Sequence, residues 1–153
     1  MSSCQIGGEK KDFNMNGNRI IVHALIKVDN KYLVIKRSKE ESTYPEYWDI
    51  PGGLVELGEL PKDALLRETK EEVNLLIEPI IPIHEDSNLD KEKNTVFIRL
   101  VYLSELKEDI KNIKLDTKEH TEYKLIDNIN ELENEKVAPF LIEVFNKIKK
   151  RTY

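Results

Sequence analysis

The apolar positions of this chain alternate between short continuous runs and helical stripes. Arg19–Val28 (RIIVHALIKV) is apolar and rich in β-branched residues, which predicts a buried strand. Asp29-Asn30-Lys31 carries turn chemistry, and Tyr32–Lys36 (YLVIK) follows as the second arm of a hairpin. A polar loop over Lys36–Tyr47 leads into the short apolar Trp48–Ile50, which Pro51-Gly52-Gly53 ends. Pro61–Val73 (PKDALLRETKEEV) predicts a helix: proline suits its first turn, and Ala64, Leu65, Leu66, Thr69 and Val73 offer a packed face. Ile77–Ile83, with its two prolines, reads as an irregular or edge strand. Thr95–Leu103 (TVFIRLVYL) is a strong strand and Tyr123–Ile126 a weaker one. Over Val137–Ile148, the positions Val137, Phe140, Leu141, Val144, Phe145 and Ile148 share one face of an amphipathic helix. Strands separated by one central and one C-terminal helix imply a mixed α/β layered domain, in an order that spacing alone does not give.

The length of 153 residues matches one domain with room for a core. Residues 1–18 are polar and rich in Gly and Asn, and are expected to form a flexible arm ahead of a single domain over 19–153. They hold no apolar stretch of the secretory type, and no run in the chain nears the ~18 apolar residues of a membrane-spanning helix. Cys4 is alone, so no internal disulfide can form, and a reducing cytoplasm is the simplest compartment. The net charge is 24 − 29 = −5. That argues against a general nucleic-acid binder, which needs a basic surface. A small anionic substrate stays open, because a bound metal supplies positive charge locally.

The chemistry concentrates after Gly53, in Gly53-LVELG-Glu59-LPKDALL-Arg67-Glu68-Thr69-Lys70-Glu71-Glu72-Val73-Asn74-Leu75. Glu68, Glu71 and Glu72 stand at i, i+3 and i+4, so a helix puts all three carboxylates on one face. Like charges at that spacing repel, and a hard divalent cation removes the repulsion. Gly52-Gly53 beside that face lets backbone approach a metal or a phosphate where a side chain would obstruct. Alone, an REXXEE stretch is ordinarily a solvated helix face, and two glycines are ordinarily a turn. Together they fix one Gly, four Glu and one Arg at set spacings, for which chance agreement is on the order of 10⁻⁴ from ordinary residue frequencies.

Gly53–Leu75 resembles the Nudix box, Gly-x5-Glu-x7-Arg-Glu-U-x-Glu-Glu-x-Gly-U with U aliphatic, and Trp48-Asp49-Ile50-Pro51-Gly52-Gly53 resembles the family's lead-in. Thr69 replaces an aliphatic residue of similar volume. Asn74 replaces a C-capping glycine, and Asn is the other residue that tolerates the left-handed conformation. The resemblance implies a Nudix fold, a mixed β-sheet sandwiched between α-helices (α/β/α). It implies a magnesium site, with manganese as a substitute, drawn from Glu68, Glu71, Glu72, Glu119 and the Gly52 carbonyl. Arg67 and Glu59 would pair to hold the loop against the helix. The reaction would be attack of water on a phosphorus of a small nucleotide, with the base drawn from a box Glu, from Glu119 or from Glu122. Arg37, Lys36, Gly53, Trp48, Tyr44, Tyr47 and Glu122 are the candidate substrate contacts.

Among the histidines, His120 is a candidate base with solvent exposure or substrate contact as its alternatives. His23 is expected in the core or a cleft wall, and His84 has no partner legible in the sequence. The SQPWPF-type array of NADH-directed members is absent, the coenzyme A array is echoed only by Arg37-Ser38, and Lys91 and Glu92 stand where ADP-ribose and diadenosine polyphosphate members carry Pro and Tyr. These absences favour a nucleoside triphosphate, ordinary or oxidised. The other reading is a silent Nudix domain that senses a nucleotide or NAD-derived metabolite. A homodimer is common in such proteins, and Thr95–Leu103 is apolar enough for core or interface.

Overall fold

The computed structural model describes residues 17–151. Residues 1–16 of the expected arm, with Cys4, lie outside the described residues. Gly17 and Asn18, assigned above to the arm, instead begin the first strand. The strands are β1 (Gly17–Val28), β2 (Lys31–Arg37), β3 (Trp48–Asp49), β4 (Gly52–Leu54), β5 (Ile77–Asp90), β6 (Thr95–Leu106) and β7 (His120–Ile126). The helices are α1 (Pro61–Val73) and α2 (Pro139–Lys150), with short 3₁₀ turns at Ile110–Asn112 and Ile129–Leu132.

All seven strands join one mixed sheet whose main path runs β3-β2-β1-β6-β5. β1 and β6 pair in parallel from Gly17↔Thr95 to Lys27↔Glu105, which makes them the sheet's central spine. The predicted β1–β2 hairpin exists only at its base, with Lys27↔Tyr32 and Val28↔Lys31 paired. Beyond it the two strands diverge. The 48–54 segment fills the gap: β3 pairs with β2, and β4 pairs with β1 through Ile21↔Leu54, Val22↔Gly53 and His23↔Gly52. The Ala24 amide donates to the Pro51 carbonyl at 2.8 Å, pinning the turn between them.

Side-chain alternation along β1 divides the core in two. Val22, Ala24 and Ile26 face α1, where they pack with Leu33, Ile35, Ala64, Leu65 and Val73. Leu25 faces α2, with Val34, Trp48, Val101, Leu103, Phe140 and Leu141. The molecule is therefore an α/β/α sandwich. No described helix is long and apolar enough to cross a membrane.

The differences from the sequence reading lie in strand length. β5 runs on through the polar residues 84–90, because β6 supplies backbone partners as far as Asp90↔Thr95. Its prolines appear as register shifts, between Pro79 and Ile81 and between Pro82 and His84. β7 starts at His120, three residues earlier than the apolar pattern suggested. Helix α1 keeps the predicted bounds, with proline in its first turn and Asn74 capping it at φ 59°, ψ 36°.

Thr69 is fully buried on α1, and its Oγ1 has no hydrogen-bond partner. An unsatisfied buried hydroxyl is destabilising, so the isosteric Thr69→Val should stabilise the fold by about 1 kcal/mol and raise Tm by roughly 2–4 °C. A thermal melt in which Thr69→Val unfolds at or below the wild-type temperature would contradict this account of the site.

Candidate active site

Helix α1 carries Glu68, Glu71 and Glu72 toward the gap in the sheet. Glu72 is 7% exposed, and its Oε1 accepts the Gly52 amide at 3.0 Å. Burial is the main force pushing its carboxyl up to about 9; the Gly52 bond opposes the rise, and Glu68, Glu119 and Asp49 add to it. Glu68 is also raised, first by burial, against the pull of Arg67. Space requires a glycine at 52, and at 53 a side chain would displace Glu68. A Cβ on Gly52 would strike the Val22 carbonyl and His23, and one on Gly53 would strike the Glu68 carboxylate.

Arg67 ties this face to the preceding loop. Its Nε and Nη2 donate to the two Glu59 oxygens at 2.8 and 2.9 Å, Nη1 donates to Glu68 at 2.8 Å, and Nη2 also reaches the Leu54 carbonyl at 3.1 Å. Glu59 in turn accepts the Glu56 amide. Glu71 stands more exposed, 3.5 Å from Arg67. Among the described residues no three His, Cys, Asp or Glu side chains already converge as a metal cage.

Glu119 reaches the same place through backbone bonds that no local pattern announces. The Lys114 amide donates to Val73 O and the Asp116 amide to Glu72 O, both at 2.9 Å, while the Ser38 amide donates to Glu119 O at 2.7 Å. The segment is thus strapped to the end of α1 and to the end of β2. The Glu119 carboxyl is raised by burial, then by Asp116, Glu41 and Glu68, which places it in the field of the box.

On the α2 side of the diglycine strand lies a cleft of about 580 Å³ whose lining includes His23, Arg37, Tyr44, Asp49, Arg99 and Phe140 as well as Gly52 and Gly53. Arg37 donates to Glu41 and to the Thr43 carbonyl, and it lies 3.7 Å from Asp49. Burial pushes Asp49 up to about 6, against the Ile50 amide and Arg37. His23 packs 4.8 Å from Phe140, and burial, with Arg99 and Arg37, drives it down to about 3.

The structure sets Trp48 and Glu122, two expected substrate contacts, apart from the cleft. Trp48 is fully buried in the α2-side core, with its indole N–H given to Glu135 at 2.7 Å, so no base can stack on it. Tyr44, half-exposed at the cleft, is the aromatic in that position. Glu122 lies on β7, opposite Lys36, and forms its ion pair there at 3.7 Å, outside the cleft lining. His120 is buried at the start of β7 rather than solvent-facing, and burial with Arg37 lowers it to about 4. His84 has partners after all, Asp86 at 2.6 Å and Lys147 at 2.7 Å. The sequence reading also missed Asp49, Asp86 and Arg99. The available signal was a single charge inside an otherwise apolar run, as Arg99 is in TVFIRLVYL.

Fold and site define an α/β/α domain that sets an acidic helix face against a diglycine strand, with a cleft of mixed apolar and charged lining behind it. The model of the NUDIX domain matches residues 17–148, and the chain belongs to that family. Over 66 residues it is 41% identical to a nucleoside triphosphatase NudI of Escherichia fergusonii, covering 42% of this chain and 47% of that one. The NudI of Escherichia coli K12 is 42% identical over the same length. The chain thus spans about half the length of the curated relatives it matches. In fold it is similar to a MutT protein from Methanosarcina mazei Go1, with TM-score 0.73, 24% identity, and coverage of 88% of this chain and 95% of that one. A MutT NUDIX hydrolase from Burkholderia pseudomallei gives TM-score 0.72 at 20% identity, covering 86% and 98%.

The Arg67–Glu59 pair makes a pH prediction. Arg67 and the Glu56 amide hold the Glu59 carboxyl at about 2, below its ordinary 4.5. A carboxylate depressed on folding contributes stability that is complete above the unfolded value and is lost as pH falls through the folded one. Wild type should therefore lose stability between pH 4.5 and about 2, and Glu59→Gln should be less stable near neutrality with a flatter decline over that window. Urea titrations across the range measure both slopes; parallel curves for the two proteins would count against the pairing.

Proposed function

We propose that this protein is a magnesium-dependent hydrolase of a phosphoanhydride bond in a small nucleotide, most directly a nucleoside triphosphate, ordinary or oxidised. The observation that carries the reading is Glu72: a buried carboxylate with one amide donor, set against Glu68, Glu119 and Asp49. A hard cation relieves that arrangement, and the all-oxygen donor set suits magnesium, which joins one or two carboxylates to phosphates and keeps its waters. Glu68, Glu71, Glu72, Glu119 and the Gly52 carbonyl would hold it, with manganese as a substitute. When bound, the ion polarises the phosphoryl oxygens and lowers the pKa of the attacking water.

The remaining chemistry falls to the chain. Water adds to phosphorus, the bridging P–O bond breaks with its oxygen leaving on the departing phosphate or pyrophosphate, and the water proton passes to a carboxylate oxygen, for which we take Glu119, on a segment strapped to the end of α1 and electrostatically coupled to Glu68 and Glu72. Arg67 and Glu59 position the helix face. Gly52 and Gly53 let the Glu68 and Glu72 carboxyls close against the strand, and Arg37, in the cleft lining, is the cation we assign to the substrate on that side. The NudI relatives, named as nucleoside triphosphatases, support the substrate class. The net negative charge supports a small nucleotide over a nucleic acid, and the lone cysteine supports the cytoplasm.

With nucleoside triphosphates and magnesium, Glu72→Gln should lower kcat/KM by about a thousandfold, the scale of several kcal/mol of lost charge stabilisation. Magnesium should raise the Tm of wild type and leave that of Glu72→Gln unmoved. Turnover that survives Glu72→Gln would sink the assignment of the site, and tight nucleotide binding without turnover in wild type would show a sensor.

A further inference from the structure

Arg99 interrupts the apolar sequence of β6 and faces the cleft. Its Nη1 donates to both oxygens of Asp86 at 2.9 and 3.1 Å, and its guanidinium lies 4.0 Å from the centre of the Phe140 ring. Asp86 is fixed from behind by His84 Nε2 at 2.6 Å, and Lys147 Nζ lies 2.7 Å from His84 Nδ1. An ammonium has only hydrogens to give, so Nδ1 accepts, and Nε2 carries the hydrogen donated to Asp86. One line of contacts therefore runs from α2 across β5 to β6 and ends on a guanidinium whose plane an aromatic ring sets.

The hydrogen-bond count of this wall is lopsided. Both Asp86 oxygens are used. On Arg99, Nη2 has no acceptor among the described residues, and Nε is buried without one. Beyond Asp86, its charge also reaches His23 and Asp49, both in the cleft lining. With both Asp86 oxygens used, Nη2 is the donor this fixed guanidinium has left for a ligand atom that accepts hydrogen bonds.

We propose that Arg99 is the specificity-determining residue of the cleft, binding the carbonyl-bearing edge of a keto nucleobase of the guanine, uracil or thymine class; this rests on the nucleotide reading above. Asp86, His84 and Lys147 are positioning residues behind it. On the equivalent edge adenine sets an amino donor beside N7 where guanine has a carbonyl, so a guanidinium aimed at that position would meet donor with donor.

The test uses the full chain with magnesium and four substrates: GTP, UTP, ATP and inorganic tripolyphosphate, which has no base. Wild type should favour GTP and UTP over ATP in kcat/KM by about tenfold to a hundredfold, the range of one good base contact. Arg99→Met should collapse that ratio to within about twofold, with GTP and UTP losing more than ATP or tripolyphosphate. Arg99→Lys, which keeps the charge beside Asp86 but lacks the fork, should also lose most of the ratio, and it serves if the methionine variant fails to fold. A wild-type enzyme indifferent between ATP and the keto substrates overturns the proposal, as does an Arg99 variant that slows all four substrates alike. If wild type turns over none of them, the hydrolase reading has failed separately. Calorimetric titration with GMP, UMP and AMP then decides this proposal: a keto preference abolished in the variant supports it, and equal binding overturns it.

Discussion

The hydrogen bond from the Gly52 amide to Glu72 is the contact on which the rest of the site depends. It exists because β1 and β2 separate after their hairpin base and the 48–54 segment enters the gap. No side chain could occupy position 52, where the Val22 carbonyl and His23 leave no space for a Cβ. The bond therefore ties the diglycine strand, itself paired with the central strand, to the end of α1. Through it a carboxyl group stays buried without a cationic neighbour, and burial raises it to about 9, so near neutrality it holds its proton until a bound cation replaces it.

The same diglycine strand has two chemically different sides. Toward α1 it faces carboxylates held in place by one arginine, which is itself held by Glu59 in a bidentate pair. Toward α2 it faces a cleft whose walls include the two arginines Arg37 and Arg99, each tethered to an acid. Under the proposed function the two sides divide the ligand: the acidic side takes a cation with the phosphates, and the cleft with its fixed guanidiniums takes the rest of the nucleotide. Tethering also limits the rotamer entropy lost when a ligand arrives.

How much of this was legible follows from which interactions are local. Helix α1 was readable to its bounds because proline, the apolar stripe and Asn74 are all local signals. The outer half of β5 was not, since HEDSNLD has no strand pattern and is extended only because β6 pairs with it along its whole length. Trp48 looked like a stacking residue because sequence shows an aromatic beside a glycine turn. Only the packing of α2 and the Glu135 acceptor make it a core residue. Arg99 and Asp86 lie 13 positions apart and meet only across the β5–β6 pair, so neither could be assigned a partner from the sequence.

Glu119 shows why a residue outside any motif can be fixed as firmly as one inside it. The last carbonyls of a helix need donors from outside it. Here the Lys114 and Asp116 amides supply them to Val73 and Glu72, and the Asn74 side chain donates back to the Asn112 carbonyl at 3.2 Å. Capping α1 and delivering Glu119 to the acidic face are therefore one set of bonds. A glycine at position 74 would meet the left-handed geometry as well as asparagine does, but it would lack the Nδ2 tether to residue 112. The departure from the usual box residue thus adds a contact to the segment that carries Glu119, which ties the helix end and the late carboxylate into a single unit.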